Sequence, residues 1–292
     1  MEQGGTLREQ VEIRAAGETY LVSLYEQDLG QYYPGMIRYT VEISREGRML
    51  ARFRTNTYEY SPGVQLDPGS VARKVMARWG EELRSDPGEF LSRVQAGDIG
   101  RPRAPGAAVV IIQGSPRPDG NCATLSEWAA NLAGKEGKEV QVIYPHDLDI
   151  RSCIGCYQCY NTGACTFADD MAGIIDAISV SDLLVICSPV YTNTVPAGLK
   201  LVIDRCQALH AEQTFHGGKK PQKGLLLGVA GRRGEQNFEC VTRVVEAFFR
   251  HLGMKPVPPL LIDRVDEIRD VKKVPGLEER LRSRIQEGLL KQ

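Results

Sequence analysis

From Ala107 onward, short and almost continuously apolar runs alternate with longer amphipathic stretches, and few architectures accommodate that pattern. Ala107–Gln113, Glu139–Tyr144, Leu183–Cys187, Gly224–Ala230 and Val257–Ile262 have the length and continuity of strands buried on both faces. Ala123–Ala133, Met171–Ser179, Val195–Ala208, Phe238–Leu252 and Glu278–Leu290 carry helical periodicity. Strands and helices in strict alternation predict an α/β domain over 107–292, a doubly wound five-stranded parallel sheet with helices on both faces.

The first hundred residues have a different texture. Thr19–Tyr25, Ile37–Ile43 and Met49–Tyr58 mix β-branched or aromatic residues with polar ones, and Glu46-Gly47 supplies a hairpin turn between the last two. A helix follows, with Val71, Val75, Met76, Trp79 and Leu83 on its apolar side and Asp67-Pro68 as N-cap and first turn. A second, short helix covers Pro87–Val94. Residues 1–100 therefore read as a small α+β domain, and Gly97–Gly106, rich in Gly and Pro, reads as the linker.

Hydrophobic residues make up 42% of the 292 and charged residues 25%, enough for a sizeable core. A net charge of -1 argues against a nucleic-acid surface. No apolar run approaches the roughly 20 residues that a bilayer requires, and the start MEQGGTLREQVEIR does not read as an export leader. Four of the eight cysteines fall between Cys153 and Cys165, which suits ligands better than a disulfide scaffold and points to a reducing cytoplasm.

The first parallel strand runs into Gly114-Ser115-Pro116-Arg117-Pro118-Asp119-Gly120-Asn121-Cys122-Ala123-Thr124, and a helix begins there. Ligands of doubly wound sheets sit beyond the carboxyl ends of the strands, and a helix N-terminus offers unpaired amides to an anion. Gly114 and Gly120 allow a close turn, Ser115, Asn121 and Thr124 can donate, and Arg117 can clamp a phosphate. Neither G-x-G-x-x-G nor the P-loop pattern fits, which favours a mononucleotide. After the second strand comes Cys153-x2-Cys156-x2-Cys159-x5-Cys165. Thiols at successive three-residue steps can surround a compact iron–sulfur body; metal-free redox thiols and a zinc staple are the competing readings.

Gly-Ser-Pro-Arg-x-x-Gly-Asn at 114–121 resembles the phosphate loop of the NADPH-dependent FMN reductase family of flavodoxin-like proteins. The likeness continues in Ser188-Pro189-Val190-Tyr191, Val195-Pro196-Ala197-x-x-Lys200 and Asp204-Arg205. It implies FMN as cofactor, with its phosphate at Ser115, Arg117, Gly120, Asn121, Cys122 and Thr124. The flavin ring is then expected at Pro189, Val190, Tyr191, Thr192 and Asn193, with Gly231 bordering it. Cys122 departs from the Ser or Thr usual at that position, which weakens one donor. The cysteine run followed by Asp169-Asp170-Met171 is similar to that of the family's iron–sulfur flavoproteins. That similarity implies a [4Fe–4S] cluster on Cys153, Cys156, Cys159 and Cys165, a homodimer or homotetramer, and exchange of electrons with ferredoxin or NAD(P)H. A reductase without a cluster and a non-enzymatic electron carrier are the alternatives.

Asp169 and Asp170 read as helix N-cap and first-turn charges. Cys187, Cys206 and Cys240 read as buried free thiols. His146, His210, His216 and His251 show neither metal spacing nor a nucleophile partner, and no protein acid or base is expected.

Overall fold

The structure is a computed structural model that describes residues 5–60, 66–94, 106–217 and 220–290. They fall into two compact units. One comprises the described residues of Met1–Arg101 together with Gly155–Thr166; the other comprises those of Pro102–Ile154 and Phe167–Gln292. The linker read at Gly97–Gly106 lies, but for Gly106, outside the described residues.

The first unit is an antiparallel meander of β1 (Thr6–Ala15), β2 (Glu18–Asp28), β3 (Ile37–Arg45) and β4 (Arg48–Asn56). Helices α1 (Pro68–Ser85) and α2 (Pro87–Val94) belong to it, as does the short α4 (Gln158–Thr162), while α3 (Asn121–Lys135) lies in the other unit. Two-residue turns at Ala16-Gly17 and Glu46-Gly47 join the outer pairs with φ positive at all four residues. That is the geometry whose twist matches the strands. β1 is an addition to the sequence reading: TLREQVEIRA is exposed along most of its length and buries only Ile13, so the apolar alternation that betrays a strand is missing. Tyr20, Val22, Leu24, Val41, Ile43 and Ala51 form the apolar sheet face, covered by Ala72, Met76, Trp79 and Leu83 of α1 and Phe90 of α2. Asp67 caps α1 as expected, accepting from the amides of Gly69 and Ser70. The buried stripe includes Ala72, which lets α1 approach the sheet, while Val71 and Val75 sit at its margin.

The second unit is the expected parallel sheet. Its strands are β5 (Val109–Gln113), β6 (Val140–Ile143), β7 (Leu183–Pro189), β8 (Lys223–Val229) and β9 (Lys255–Ile262), ordered β6-β5-β7-β8-β9. In the unit's own numbering this is 2-1-3-4-5, the flavodoxin-like order, whose connections reverse direction between β5 and β7. α3 (Asn121–Lys135) and α10 (Leu277–Leu289) share a core with Val109, Ile111, Val185 and Leu227. Val110, Ile112, Leu184 and Ile186, which point the other way, are equally buried. Gly224 lets the Phe249 ring of α8 (Glu239–His251) lie on the backbone of β8, where a Cβ would collide with it. The remaining helices are α5 (Met171–Val180), α6 (Ala197–Arg205), α7 (Gln207–Phe215) and the single turn α9 (Val265–Ile268). One long helix was expected at Val195–Ala208; the chain instead bends at Cys206 between α6 and α7. β9 tolerates Pro258-Pro259 because it is an edge strand whose register shifts beside them.

Candidate functional site: the strand ends and the cysteine segment

Connections reverse direction between β5 and β7, the place where doubly wound sheets hold ligands, and the 114–121 loop follows β5 there. Gly114 N–H donates to Cys187 C=O at 2.8 Å. A Cβ at Gly114 would lie 3.0 Å from Leu199 and 3.1 Å from that carbonyl, so the residue closes the turn as expected. Gln113, fully buried, braces the loop: its Oε1 accepts from Ser115 N–H and its Nε2 donates to Arg117 C=O at 3.2 Å. Ser115 Oγ accepts from Arg117 N–H. His146 lies within hydrogen-bonding distance of Gly114 C=O, 3.1 Å, with its ring against Gly198. The sequence marks Gln113 only as the end of a strand and His146 only as a histidine without metal spacing, since neither belongs to a motif.

α3 starts from Gly120 with no side chain capping it, so its first amides and the positive end of its dipole face the loop, beside exposed Arg117. Thr124 is half-buried in that first turn. Asn121 and Cys122 are engaged elsewhere. Asn121 Oδ1 accepts from Val271 N–H at 3.0 Å and its Nδ2 donates to Arg269 C=O, tying α3 to the chain before α10. Cys122 is buried in the core, where its contact with Cys187 and burial push its thiol up; Cys187 Sγ donates to Cys122 C=O.

Beyond β7, Pro189 and Val190 lead into a tight hairpin, Val190 N–H donating to Val229 C=O. Tyr191 and Thr194 exchange both backbone hydrogen bonds at 2.9 Å around Thr192 and Asn193, whose φ values are 44° and 66°. This two-residue turn holds no glycine, and left-handed backbone at a β-branched residue stores strain on the order of 1–3 kcal/mol. It presents the Tyr191 ring, 40% exposed. Asn193 Nδ2 reaches Cys240 Sγ at 3.7 Å. Cys240 is exposed, contrary to expectation, since it falls beside and not on the Val241–Val245–Phe248 stripe of α8. Cys187 and Cys206 are buried as expected. Gly231 follows β8; a Cβ there would strike the Asp266 carboxylate, and Asp266 N–H donates to Gly231 C=O.

The cysteine segment leaves the second unit through a pinned neck. Asp149 N–H donates to Asp170 Oδ2, Asp170 N–H to Asp149 C=O, and Arg151 N–H to Asp169 Oδ2. Arg205 donates to both Asp169 oxygens at 2.7 and 2.9 Å and to Arg151 C=O, and its guanidinium lies over Phe167. The pair is buried, and Arg205 holds the Asp169 carboxyl below its usual range. Asp169 is thus chiefly a tether, although its Oδ1 also accepts from Met171 N–H. Asp170 occupies the N-cap position of α5 without a side-chain capping bond.

Cys153 is exposed, and Cys156, Cys159 and Cys165 are half-buried; none of the four is in a disulfide. Tyr157, Gly155 and Gly163 turn the segment with positive φ, while Tyr160 and Asn161 are buried. Tyr33, Tyr58, Tyr157 and Tyr160 pack edge-on or tilted with centroids 4.9–6.3 Å apart. Among the described residues, no three His, Cys, Asp or Glu side chains gather to hold a metal, so the four thiols are not convergent as folded. Their chemistry nevertheless fits an iron–sulfur cluster: no thiol is consumed in a disulfide, and Asn161 Nδ2, two residues from Cys159, is a buried donor without a hydrogen-bond partner.

No helix among the described residues is long and apolar enough to cross a membrane. An iron–sulfur flavoprotein of Methanocaldococcus jannaschii is 39% identical over 141 residues, 48% of this chain and 70% of the relative. An iron–sulfur flavoprotein of Archaeoglobus fulgidus is 35% identical over 148 residues, and this chain spans 64% of that relative's length. The Trp repressor binding protein of Bacillus subtilis aligns with 63% of this chain and 99% of its own, at 20% identity and a TM-score of 0.42. The sequence profile of the NADPH-dependent FMN reductase family matches residues 107–265, and the chain belongs to that family as an FMN-dependent oxidoreductase.

Proposed function

We propose that the chain is an iron–sulfur flavoprotein that passes electrons between a [4Fe–4S] cluster, FMN and an external donor or acceptor, ferredoxin or NAD(P)H. The observation that carries the flavin half is the uncapped N-terminus of α3 beside Arg117, at the reversal of strand order. Ser115, Arg117, Gly120 and Thr124 receive the phosphate; Asn121 and Cys122 contribute their backbone amides. Pro189–Asn193 present the Tyr191 ring to a planar ring system, with Gly231 bordering it. Cys153, Cys156, Cys159 and Cys165 would hold the cluster. Bound FMN supplies two-electron and one-electron chemistry and the cluster one-electron chemistry. The chain's own part is to anchor the phosphate, orient the ring and supply the four thiols. A cytoplasmic homodimer or homotetramer belongs to the same proposal.

The test is anaerobic purification followed by absorbance, FMN release, and iron and acid-labile sulfide counts per chain. One FMN with four irons and four sulfides supports the proposal; FMN without iron would sink the cluster half. That second result would favour a cluster-free NAD(P)H-dependent FMN or quinone reductase. NAD(P)H and reduced ferredoxin, compared in turnover, identify the donor, and sedimentation gives the subunit number.

A further inference from the structure

An antiparallel sheet with one apolar face ordinarily leaves its polar face to water. The first unit does otherwise. Arg38 and Asn56 are paired in register on the face opposite the α1 core, yet both are buried, Arg38 to 3% exposure and Asn56 completely. Besides Gln27 for Arg38 and Tyr58 and Glu59 for Asn56, each has a partner in the cysteine segment. Arg38 Nη1 donates to Tyr160 C=O at 3.3 Å, Arg54 Nη1 to Asn161 C=O at 3.1 Å, and Asn56 Nδ2 to Asn161 Oδ1 at 2.9 Å. Tyr160 OH donates to Tyr33 OH at 2.8 Å.

These contacts fall where a short helix most needs them. α4 has five residues and begins from a tyrosine in the left-handed region, so it cannot persist alone. Tyr160 and Asn161 are in its last turn, whose carbonyls have no partner within the helix. Two guanidinium groups meet those carbonyls, at the helix end where cations are favoured. Cys159 lies inside this helix, with Cys156 and Cys165 on its flanks.

We propose that the polar sheet face of the first unit is the seat of the cysteine segment, with Arg54 and Asn56 as positioning residues. They hold α4, and with it the placement of Cys159 and of Cys156 and Cys165 on its flanks. The first unit thereby acquires a role in the redox function, although the family profile begins only at residue 107. The placement of the thiols stands whether or not a cluster is assembled; its redox consequence rests on the cluster reading.

The test uses full-length protein, reduced, freed of iron by chelation and held under argon. Iodoacetamide labelling followed by mass spectrometry gives the alkylation rate of each cysteine, with exposed Cys240 as internal reference. Arg54→Ala and Asn56→Ala are expected to accelerate Cys159 and Cys165 roughly tenfold relative to Cys240, the loss of one hydrogen bond to a charged or buried group. Arg54→Lys, which keeps a cationic donor, restores the rate to within about twofold. The sign is diagnostic: a guanidinium acting only through its charge would favour thiolate, and its removal would slow alkylation. Unchanged or slower labelling in Arg54→Ala overturns the proposal. Arg54 is only half-buried, so this variant decides the matter if Asn56→Ala does not fold. In iron-reconstituted protein, Arg54→Ala is also expected to shift the cluster's midpoint potential while leaving FMN content unchanged; an unshifted potential overturns the redox consequence. Failure of the wild type to take up iron would sink the cluster reading, and the labelling ratio would still decide the seat.

Discussion

Single residues decide what the 114–121 loop can bind. Arg117 is exposed beside an uncapped helix end, so removing it takes away a charge and leaves the backbone cradle intact. Arg117→Ala is expected to weaken FMN binding about 10–100-fold, the worth of a charge-assisted hydrogen bond, as read by flavin fluorescence titration. Asn121 looked like an equal partner in the sequence, where side-chain direction is invisible. In the fold its amide satisfies Val271 N–H and Arg269 C=O, and Val271 is fully buried. Asn121→Ala should therefore cost about 1–3 kcal/mol of stability in denaturant melts while changing FMN affinity less than about threefold. A large affinity loss without destabilisation would return Asn121 to the phosphate. Cys240 is the converse case: the phase of α8 places it off the apolar stripe, so its exposure is legible in the sequence although cysteine as a type favours burial.

At the scale of elements, the sequence disclosed whatever buried apolar surface regularly. β5, β7 and β8 were readable because each is covered on both faces, and the half-exposed edge strands β6 and β9 because their short apolar runs alternate with helices. β1 was not, being an exposed edge strand with a polar surface. The Tyr191–Thr194 hairpin was also hidden, since two-residue turns with positive φ ordinarily announce themselves with Gly or Asn-Gly, and here Thr192 opens the turn. A strained residue at a ring-presenting loop implies that rigidity there is worth its energetic cost. Thr192→Gly relieves the strain and loosens the turn. We expect a gain of about 0.5–1 kcal/mol in stability, together with a several-fold loss of FMN affinity. A stability loss in the melt would show that Thr192 is held by contacts that outweigh its backbone.

At the scale of the whole chain, the cysteine segment is sequence of one half and structure of the other, which no linear boundary at residue 100 could express. Its seat carries a titratable group with a consequence for stability. Glu59 accepts from Thr55 Oγ1 and from Asn56 Nδ2, and burial pushes its carboxyl up to about 7. A carboxyl whose folded value exceeds its unfolded one keeps its proton longer in the folded state. The stabilisation is fully present below the unfolded value of 4.5 and is lost as pH rises through about 7. Between those limits the first unit should weaken by on the order of 1–2 kcal/mol, solvent screening at a partly exposed carboxyl having reduced the ideal figure. Glu59→Gln keeps an amide oxygen for Thr55 or Asn56 and removes the titration. Its melting temperature should match the wild type near pH 4.5 and exceed it at pH 8, the difference opening between those values. Because Asn56 donates to both Glu59 and Asn161, deprotonation of Glu59 loads the same amide that seats the cysteine segment. Melting curves of the two proteins that run parallel from pH 4.5 to 8 would mean that Glu59 ionises as freely in the fold as in water.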